Sequence, residues 1–488
     1  MRTVAAVWLV CGLAGPSGCG AGEAASRPPA PGVHATGATA APLDAGPFAP
    51  LATSGDAIVD AAGRRVILRG LEHHALQDVR YQGREVLPGD YPLIGSWGMT
   101  TLRMALSWSR IEPTPHAYDA AYLDEVEAAL DAAHAAGLTV VLEWHQDLWG
   151  KCAREPDDPA ANGAPDWTCP ASYQPSLLGY WQLFDRFWAN EDGLFDAFVE
   201  AWGQVVDRLG AHPAVVGYDL LNEPQGNDPS PVLERDRWYP ALRALVPALR
   251  ARGASGLFFV GAPGIRNETL ELYTEPLVDL GPGVVYAPHL YSSWIRLYLF
   301  HLGPDPTVKA RDFELAAEQA TELGLPLWNG EWGVNLELDG ALGDLELHVG
   351  LEDQYRVGSS YWAFDRAIPG QGDASISGAQ ALLEGDRSVR QAVVDRLSRP
   401  YPIAVPGELE SLSFDFASQR LELRFAADGG AEPLVLYAPA RHLSAAVCLE
   451  VEGPAGARYD VDPERERLLV LPGGPGEHLV RLAPCPWE

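Results

Sequence analysis

Val215-Val216-Gly217-Tyr218-Asp219-Leu220-Leu221-Asn222-Glu223-Pro224 is an apolar, strand-like run that stops on an amide, a carboxylate and a proline. Asn329-Gly330-Glu331-Trp332-Gly333 likewise sets a lone glutamate just past an apolar run. Parallel strands covered on both faces read as continuous apolar stretches. Such stretches recur at Val66 to Gly70, Thr100 to Leu106, Thr139 to Trp144, Val215 to Leu221, Leu257 to Gly261, Val284 to Pro288, Leu325 to Trp328 and Ser359 to Ala363. Helix-like segments lie between them. In Asp119 to Ala136, for example, Tyr122, Leu123, Val126, Ala129 and Leu130 fall at helical spacing and Gly137 follows as a stop. Strands alternating with helices in this way predict a (β/α)8 barrel, a TIM barrel, whose active site lies at the C-terminal ends of its strands. The interval after Trp144 is much the longest. It holds a Pro-, Asp- and Gly-rich loop and a Trp- and Phe-rich stretch from Tyr180 to Trp202, and predicts an insertion over the active-site face.

Around the barrel, expected at 51–400, the texture changes. After Pro400-Tyr401-Pro402 come the short runs Leu412 to Phe416, Arg420 to Phe425, Leu434 to Tyr437, Ala446 to Val451, Leu468 to Leu471 and His478 to Leu482, split by Gly, Pro and Asp. They predict antiparallel strands, and so a small C-terminal β-sandwich over 401–488 that either supports the barrel or binds sugar or membrane. Residues 20–50 are Ala, Pro and Gly with almost no large apolar side chain, the composition of a flexible linker. Met1 to Cys19 has a charged start at Arg2, an apolar stretch from Val4 to Ala14 and then small residues, which predicts an export signal too short to span a bilayer. Its Pro16-Ser17-Gly18-Cys19 end resembles a bacterial lipobox, with Pro16 where a leucine-like residue is usual. A secreted protein or an outer-surface lipoprotein is expected, with membrane contact through a lipid anchor or at the periphery.

The 488 residues carry a net charge of -31, which argues against a nucleic-acid partner, because phosphates need a lysine- and arginine-rich face. No feature asks for a second subunit, and a monomer is expected. Outside the signal there are four cysteines, Cys152, Cys169, Cys448 and Cys485, an even number suited to an oxidising compartment. Four cysteines allow three connectivities; proximity favours Cys152 with Cys169 and Cys448 with Cys485. None has a neighbour at the CxxC spacing of a zinc site.

The strand ends carry the chemistry. The second run holds Arg103; the third ends in His145-Gln146-Asp147, the fourth in Asn222-Glu223, the sixth in His289-Leu290-Tyr291; Glu331 follows the seventh, and Trp362 lies in the eighth. Two carboxylates facing one cleft are what glycosidic hydrolysis requires, one to protonate the leaving oxygen and one to attack or stabilise the anomeric carbon. Arg103 is expected to hold Glu331 ionised, since a nearby positive charge lowers a carboxyl pKa. Asn222 suits the sugar 2-hydroxyl, His289 and Tyr291 can position a nucleophile, and Trp362 offers a face to a pyranose ring.

This ordered set resembles glycoside hydrolase family 5, and within it the endoglycoceramidases. The resemblance rests on Trp144-His145-Gln146-Asp147-Leu148-Trp149, Gly163-Ala164-Pro165-Asp166-Trp167, the stretch from Val216 to Pro224, Ala287-Pro288-His289-Leu290-Tyr291, Ser360-Tyr361-Trp362 and Arg399-Pro400-Tyr401-Pro402. It implies Glu223 as acid/base, Glu331 as nucleophile, and contacts from Asp147, Asn222, Tyr291 and Trp362 to the first sugar beyond the cleaved bond. The implied reaction is double displacement with retention, with no metal or organic cofactor, on a glycolipid or other β-glycoside substrate. Two features depart from the pattern: no lysine follows the first strand until Lys151, and Trp332 stands where many members carry phenylalanine. An endo-β-1,4-glucanase or mannanase acting on polysaccharide is the rival reading. A non-catalytic glycan- or lipid-binding barrel would not need both glutamates and Arg103. Trp181, Phe184, Phe187 and Trp188 fit either an apolar lip for a lipid aglycone or plain helix packing.

Overall fold

The computed structural model describes residues 32–46, 48–77, 85–153, 162–176, 179–264, 266, 280–291, 303–367, 376–443 and 446–485. The export signal expected at Met1 to Cys19 lies outside them. The barrel strands, numbered in chain order, are β1 (Arg69–His73), β2 (Thr101–Leu106), β3 (Thr139–Trp144), β4 (Val215–Asp219), β5 (Leu257–Val260), β6 (Val284–Tyr286), β7 (Trp328–Trp332) and β8 (Gly358–Tyr361). All neighbours pair in parallel, in the order β6-β5-β4-β3-β2-β1-β8-β7. Parallel bridges Tyr286 to Leu327 and His289 to Glu331 join the two ends and close the barrel. The helix between β2 and β3 runs Ala120–Ala135; Asp119 caps it by accepting from the Ala121 and Tyr122 amides, and Gly137 leaves it at φ +76°.

Two strand limits differ from the sequence expectation. The run Val66 to Gly70 divides: Arg65–Val66 pairs with the C-terminal domain and only Arg69 onward enters the barrel. The seventh strand begins at Trp328, where the apolar run Leu325 to Trp328 ends, so Glu331 lies within β7. The Asn-Gly-Glu sequence hides that strand because its polar side chains are paired inside the barrel, a condition that apolar scanning does not register.

Inside, the barrel is layered. Its apolar layer contains Leu68, Val141, Val216, Leu257, Phe259, Val285 and Trp328, joined by Leu51, Ile58 and Val66 from the preceding segment. Each such fully buried aliphatic side chain contributes roughly 1.5–3 kcal/mol. Thr53 Oγ1 accepts from the Gly283 amide just before β6, which places the hairpin Ala52–Ser54 and Ala57–Val59 at the N-terminal end of the barrel. The opposite end is left for chemistry.

The C-terminal domain packs two sheets around a shared core that includes Leu409, Leu421, Leu423, Leu434, Leu436 and Leu468. Its make-up corrects two expectations. Gly32–Thr36 and Ala38–Ala40, read as linker, are strands paired in parallel with Ala446–Glu452 and Ala457–Asp462, and Ala52–Ser54, Ala57–Val59 and Arg65–Val66 extend the second sheet. Edge pairing uses backbone N–H and C=O groups, which Ala- and Thr-rich sequence supplies as well as any other. The domain thus draws on both ends of the chain, and the boundaries 20–50, 51–400 and 401–488 do not mark separate bodies. A buried ionic cluster joins it to the barrel: Arg399 meets Asp353 at 2.8 Å and Glu352 at 3.0 Å, Arg69 meets Asp353 at 2.6 Å, and the Arg69 guanidinium lies 4.0 Å over the Tyr401 ring. Disulfides link Cys152 with Cys169 and Cys448 with Cys485. Among the described residues no helix is long and apolar enough to cross a membrane.

Candidate active site

At the C-terminal end of the barrel the apolar layer gives way to an ionic one. Arg103, on β2, is fully buried among four carboxylates. Its Nη1 contacts Glu331 at 2.8 Å and Glu72 at 3.1 Å, its Nε contacts Asp219 at 2.8 Å, and its Nη2 contacts Glu143 at 3.3 Å. Nη2 also donates to Asn222 Oδ1 at 2.9 Å. Register explains the crowding: Glu72 stands beside Arg103 across β1 and β2, and Glu143 beside Asp219 across β3 and β4. Burial pulls the guanidinium pKa down, but Glu143, Glu72, Asp219 and Glu331 together hold it well up. Sequence reading missed Glu72, Glu143 and Asp219. The signal was there, since a carboxylate inside an apolar strand must find a partner.

Glu331 is buried, with Tyr291 Oη donating to its Oε1 at 2.7 Å and Arg103 holding Oε2. Burial pushes the Glu331 carboxyl above its ordinary pKa and outweighs His289 and Arg103, which pull it down. The expectation that Arg103 would leave Glu331 with a lowered pKa is therefore corrected. The guanidinium acts in the expected direction, but its charge is shared with three other acids in a site without water's screening.

Glu223 follows β4 with φ +39°, a left-handed backbone unusual for glutamate. Its Oε1 pairs with His289 Nδ1 at 2.9 Å, and the same nitrogen lies 3.9 Å from Glu331 Oε1. One carboxylate oxygen from each glutamate and a His289 ring nitrogen all lie within 4.8 Å of one another. Burial lowers the His289 pKa, but Glu331 and Glu223 carry it to a net rise. Gln146 Nε2 donates to the carbonyls of Asn222 and Glu223 at 2.7 and 3.1 Å, and Asn222 Nδ2 returns a bond to the Gln146 carbonyl at 2.9 Å.

The remaining candidates close the ring. His145 Nδ1 meets both Glu143 oxygens at 3.1 Å and its Nε2 lies 3.4 Å from Asp147. Burial disfavours its charged form, yet Glu143 and Asp147 hold its pKa well above the ordinary value. The His145 ring stacks on Trp362 at 5.4 Å between centroids, and His74 meets the same indole edge-on at 4.6 Å. Asn162, in the disulfide-bounded loop, donates to Asp147 Oδ2 at 2.5 Å. All nine site residues anticipated from sequence thus fall in one contact network. The Trp332 carbonyl accepts from the Trp362 amide at 2.7 Å, while its ring stacks 3.5 Å from His348 and donates to Ser359 Oγ. Of the aromatic stretch, Phe184 and Phe187 are buried against Trp108, Trp149 and Phe198, so they are packing and not a lip.

Comparison with known proteins agrees with this geometry. Residues 59–367 match the family model described as cellulase, glycosyl hydrolase family 5, and residues 399–481 match the glycoside hydrolase family 5 C-terminal domain. The chain is similar to endoglycoceramidase I of Rhodococcus hoagii (strain 103S), 26% identical over 89% of this chain and 88% of that protein. Endo-glycoceramidase II from Rhodococcus sp., solved as a ganglioside GM3 complex, superposes with TM-score 0.71 at 26% identity, over 88% of this chain and 100% of that one. The same enzyme, solved as a lactosyl-enzyme intermediate, gives TM-score 0.70 at 26% identity over 88% of this chain and 100% of that one. An endogalactoceramidase structure shares the fold at TM-score 0.73 and 23% identity, over 89% of this chain and 99% of that one.

Proposed function

The chain belongs to glycoside hydrolase family 5, a glycoside hydrolase by that membership, and we propose that it is a retaining endo-β-glycosidase of endoglycoceramidase type. In this reading it cuts between an oligosaccharide and ceramide or a similar apolar aglycone. The observation that carries the mechanism is the approach of Glu223 and Glu331 oxygens to within 4.8 Å. Retaining enzymes keep their carboxyls roughly 5–5.5 Å apart, whereas inverting ones leave about 6.5–9.5 Å for a water.

Glu331, locked by Arg103 and Tyr291, attacks the anomeric carbon, and Glu223 protonates the departing oxygen. A glycosyl-enzyme ester on Glu331 results. Water then enters with Glu223 as base and releases the sugar with its configuration kept. Esterification removes the Glu331 charge, so the upward pull on His289 weakens midway through the cycle. Asn222, Asp147 and Trp362 line the side that takes the first sugar. The lipid side of the assignment is supported by similarity along nearly the whole chain to endoglycoceramidases, one solved with a ganglioside and as a lactosyl-enzyme. Export by the signal at Met1 to Cys19, with secretion or lipid anchoring, belongs to the same proposal. The test is product analysis: incubated with a ganglioside, the protein releases free ceramide and the whole oligosaccharide. Products from soluble cellulose or mannan derivatives alone would overturn the substrate assignment.

A further inference from the structure

The segment that follows Glu223 is gripped by the inserted helix Tyr180–Trp188. Trp181, Asp185 and Trp188 are spaced i, i+4 and i+7 and so share one face of it. Trp181 Nε1 donates to Gln225 Oε1 at 3.1 Å, and Trp188 Nε1 donates to the Gln225 carbonyl at 2.7 Å. Asp185 accepts from the Asn227 amide at 3.2 Å and from its side chain. Leu183, Phe184 and Phe187 of the same helix are buried in the barrel's aromatic cluster, so the grip rests on a firm base. Gln225 Nε2 reaches on to the Asp147 carbonyl at 2.8 Å. One glutamine therefore ties the acid/base turn, the Asp147 turn and the insertion together.

A left-handed backbone is disfavoured for a non-glycine residue and persists where its surroundings over-determine it. Glu223 is such a residue. We propose that Gln225 is a positioning residue for leaving-group protonation: it holds the strained turn at Glu223 on the inserted helix, so that the carboxyl meets the glycosidic oxygen in line. The inference rests on the assignment of Glu223 as acid/base.

The test compares two lactosides whose leaving groups differ in their need for a proton, octyl β-lactoside and 2,4-dinitrophenyl β-lactoside. In the full chain, Gln225→Ala lowers kcat/KM for the octyl glycoside about tenfold, a part of what general acid catalysis supplies. For the dinitrophenyl glycoside, whose phenolate leaves unaided, the loss stays under about twofold. Equal losses on both substrates, or none on either, overturn the proposal. Should Gln225→Ala fail to fold by circular dichroism, Trp181→Phe makes the same test, because it deletes one bond to Gln225 and keeps the aromatic ring. Glu223→Gln checks the premise separately. A selective loss there beside an unselective one in Gln225→Ala removes the proposal alone, whereas an unselective loss in Glu223→Gln removes the acid/base assignment as well.

Discussion

Glu331 and Glu223 face each other across a few ångströms, yet the chain holds them by different means. Glu331 sits inside a barrel strand with its side chain 9% exposed, and both of its oxygens are bonded to other side chains, Arg103 and Tyr291. Glu223 lies beyond a strand end with its side chain 25% exposed, and much of its support reaches the backbone, through Gln146 and the residues that bind Gln225. A nucleophile must be fixed and charged, and an ionic network serves that. An acid/base must take and release a proton while its position stays constant; support through the backbone fixes the turn, and the His289 ring paired with its carboxyl can itself titrate.

Replacing the two glutamates breaks the comparison most sharply. Glu331→Gln lowers turnover on the order of 10⁴-fold whatever the leaving group, because no covalent intermediate forms without the carboxylate. Steady-state assay of aryl and alkyl β-glycosides checks this, and unchanged turnover would sink the assignment of that residue. Next comes Arg103→Met, which leaves Glu72, Glu143, Asp219 and Glu331 buried without their shared cation. Removing one partner of a buried ionic cluster costs about 3–5 kcal/mol. Urea unfolding should show that loss, and a variant as stable as the parent would mean that the four acids are neutral in the folded protein.

The same contrast marks what could be read from sequence. The strand ends were legible because apolar runs and the end-of-strand rule pick out Asn222, Glu223, His289 and Tyr291 directly. The interior of the site was not, since scanning for apolar runs passes over Glu72, Glu143 and Asp219 as blemishes although they are the partners of Arg103. The extent of β7 was lost for that reason too. Gly32–Thr36 and Ala38–Ala40 escaped because their pairing is a backbone matter. The face formed by Trp181, Asp185 and Trp188 could have been seen from its spacing, but nothing in the sequence said that it would grip residues 225 to 227.

On the Glu223 side a smaller lesion should act selectively. A Cβ at Gly264 would lie 3.2 Å from Glu223 Cβ and Oε2, closer than most real contacts. Gly264→Ala is expected to lower kcat/KM on alkyl β-glycosides by up to about tenfold, since a displaced proton donor loses part of its acid catalysis. The corresponding rate on dinitrophenyl glycosides should hold. A uniform fall would indicate that the methyl disturbs sugar binding instead.

Charge on the Glu331 side leads to a pH effect. His145 is held protonated by Glu143 and Asp147, with a folded pKa well above 6.5. Below about pH 6.5 both the folded and the unfolded chain carry that proton, and the stabilisation is present in full. As pH rises further the unfolded chain releases its proton while the folded one keeps it, so stability falls by up to about 1.4 kcal/mol per pH unit until the folded pKa is passed. His145→Asn has no such group to titrate. The gap in unfolding free energy between parent and variant should therefore narrow as pH increases from about 6 to about 8, measured by urea unfolding at each pH. A gap that stayed constant would mean that folding leaves the His145 pKa unchanged, and one that widened would show the ring neutral in the folded protein, with the Glu143 carboxylate left to Arg103 alone.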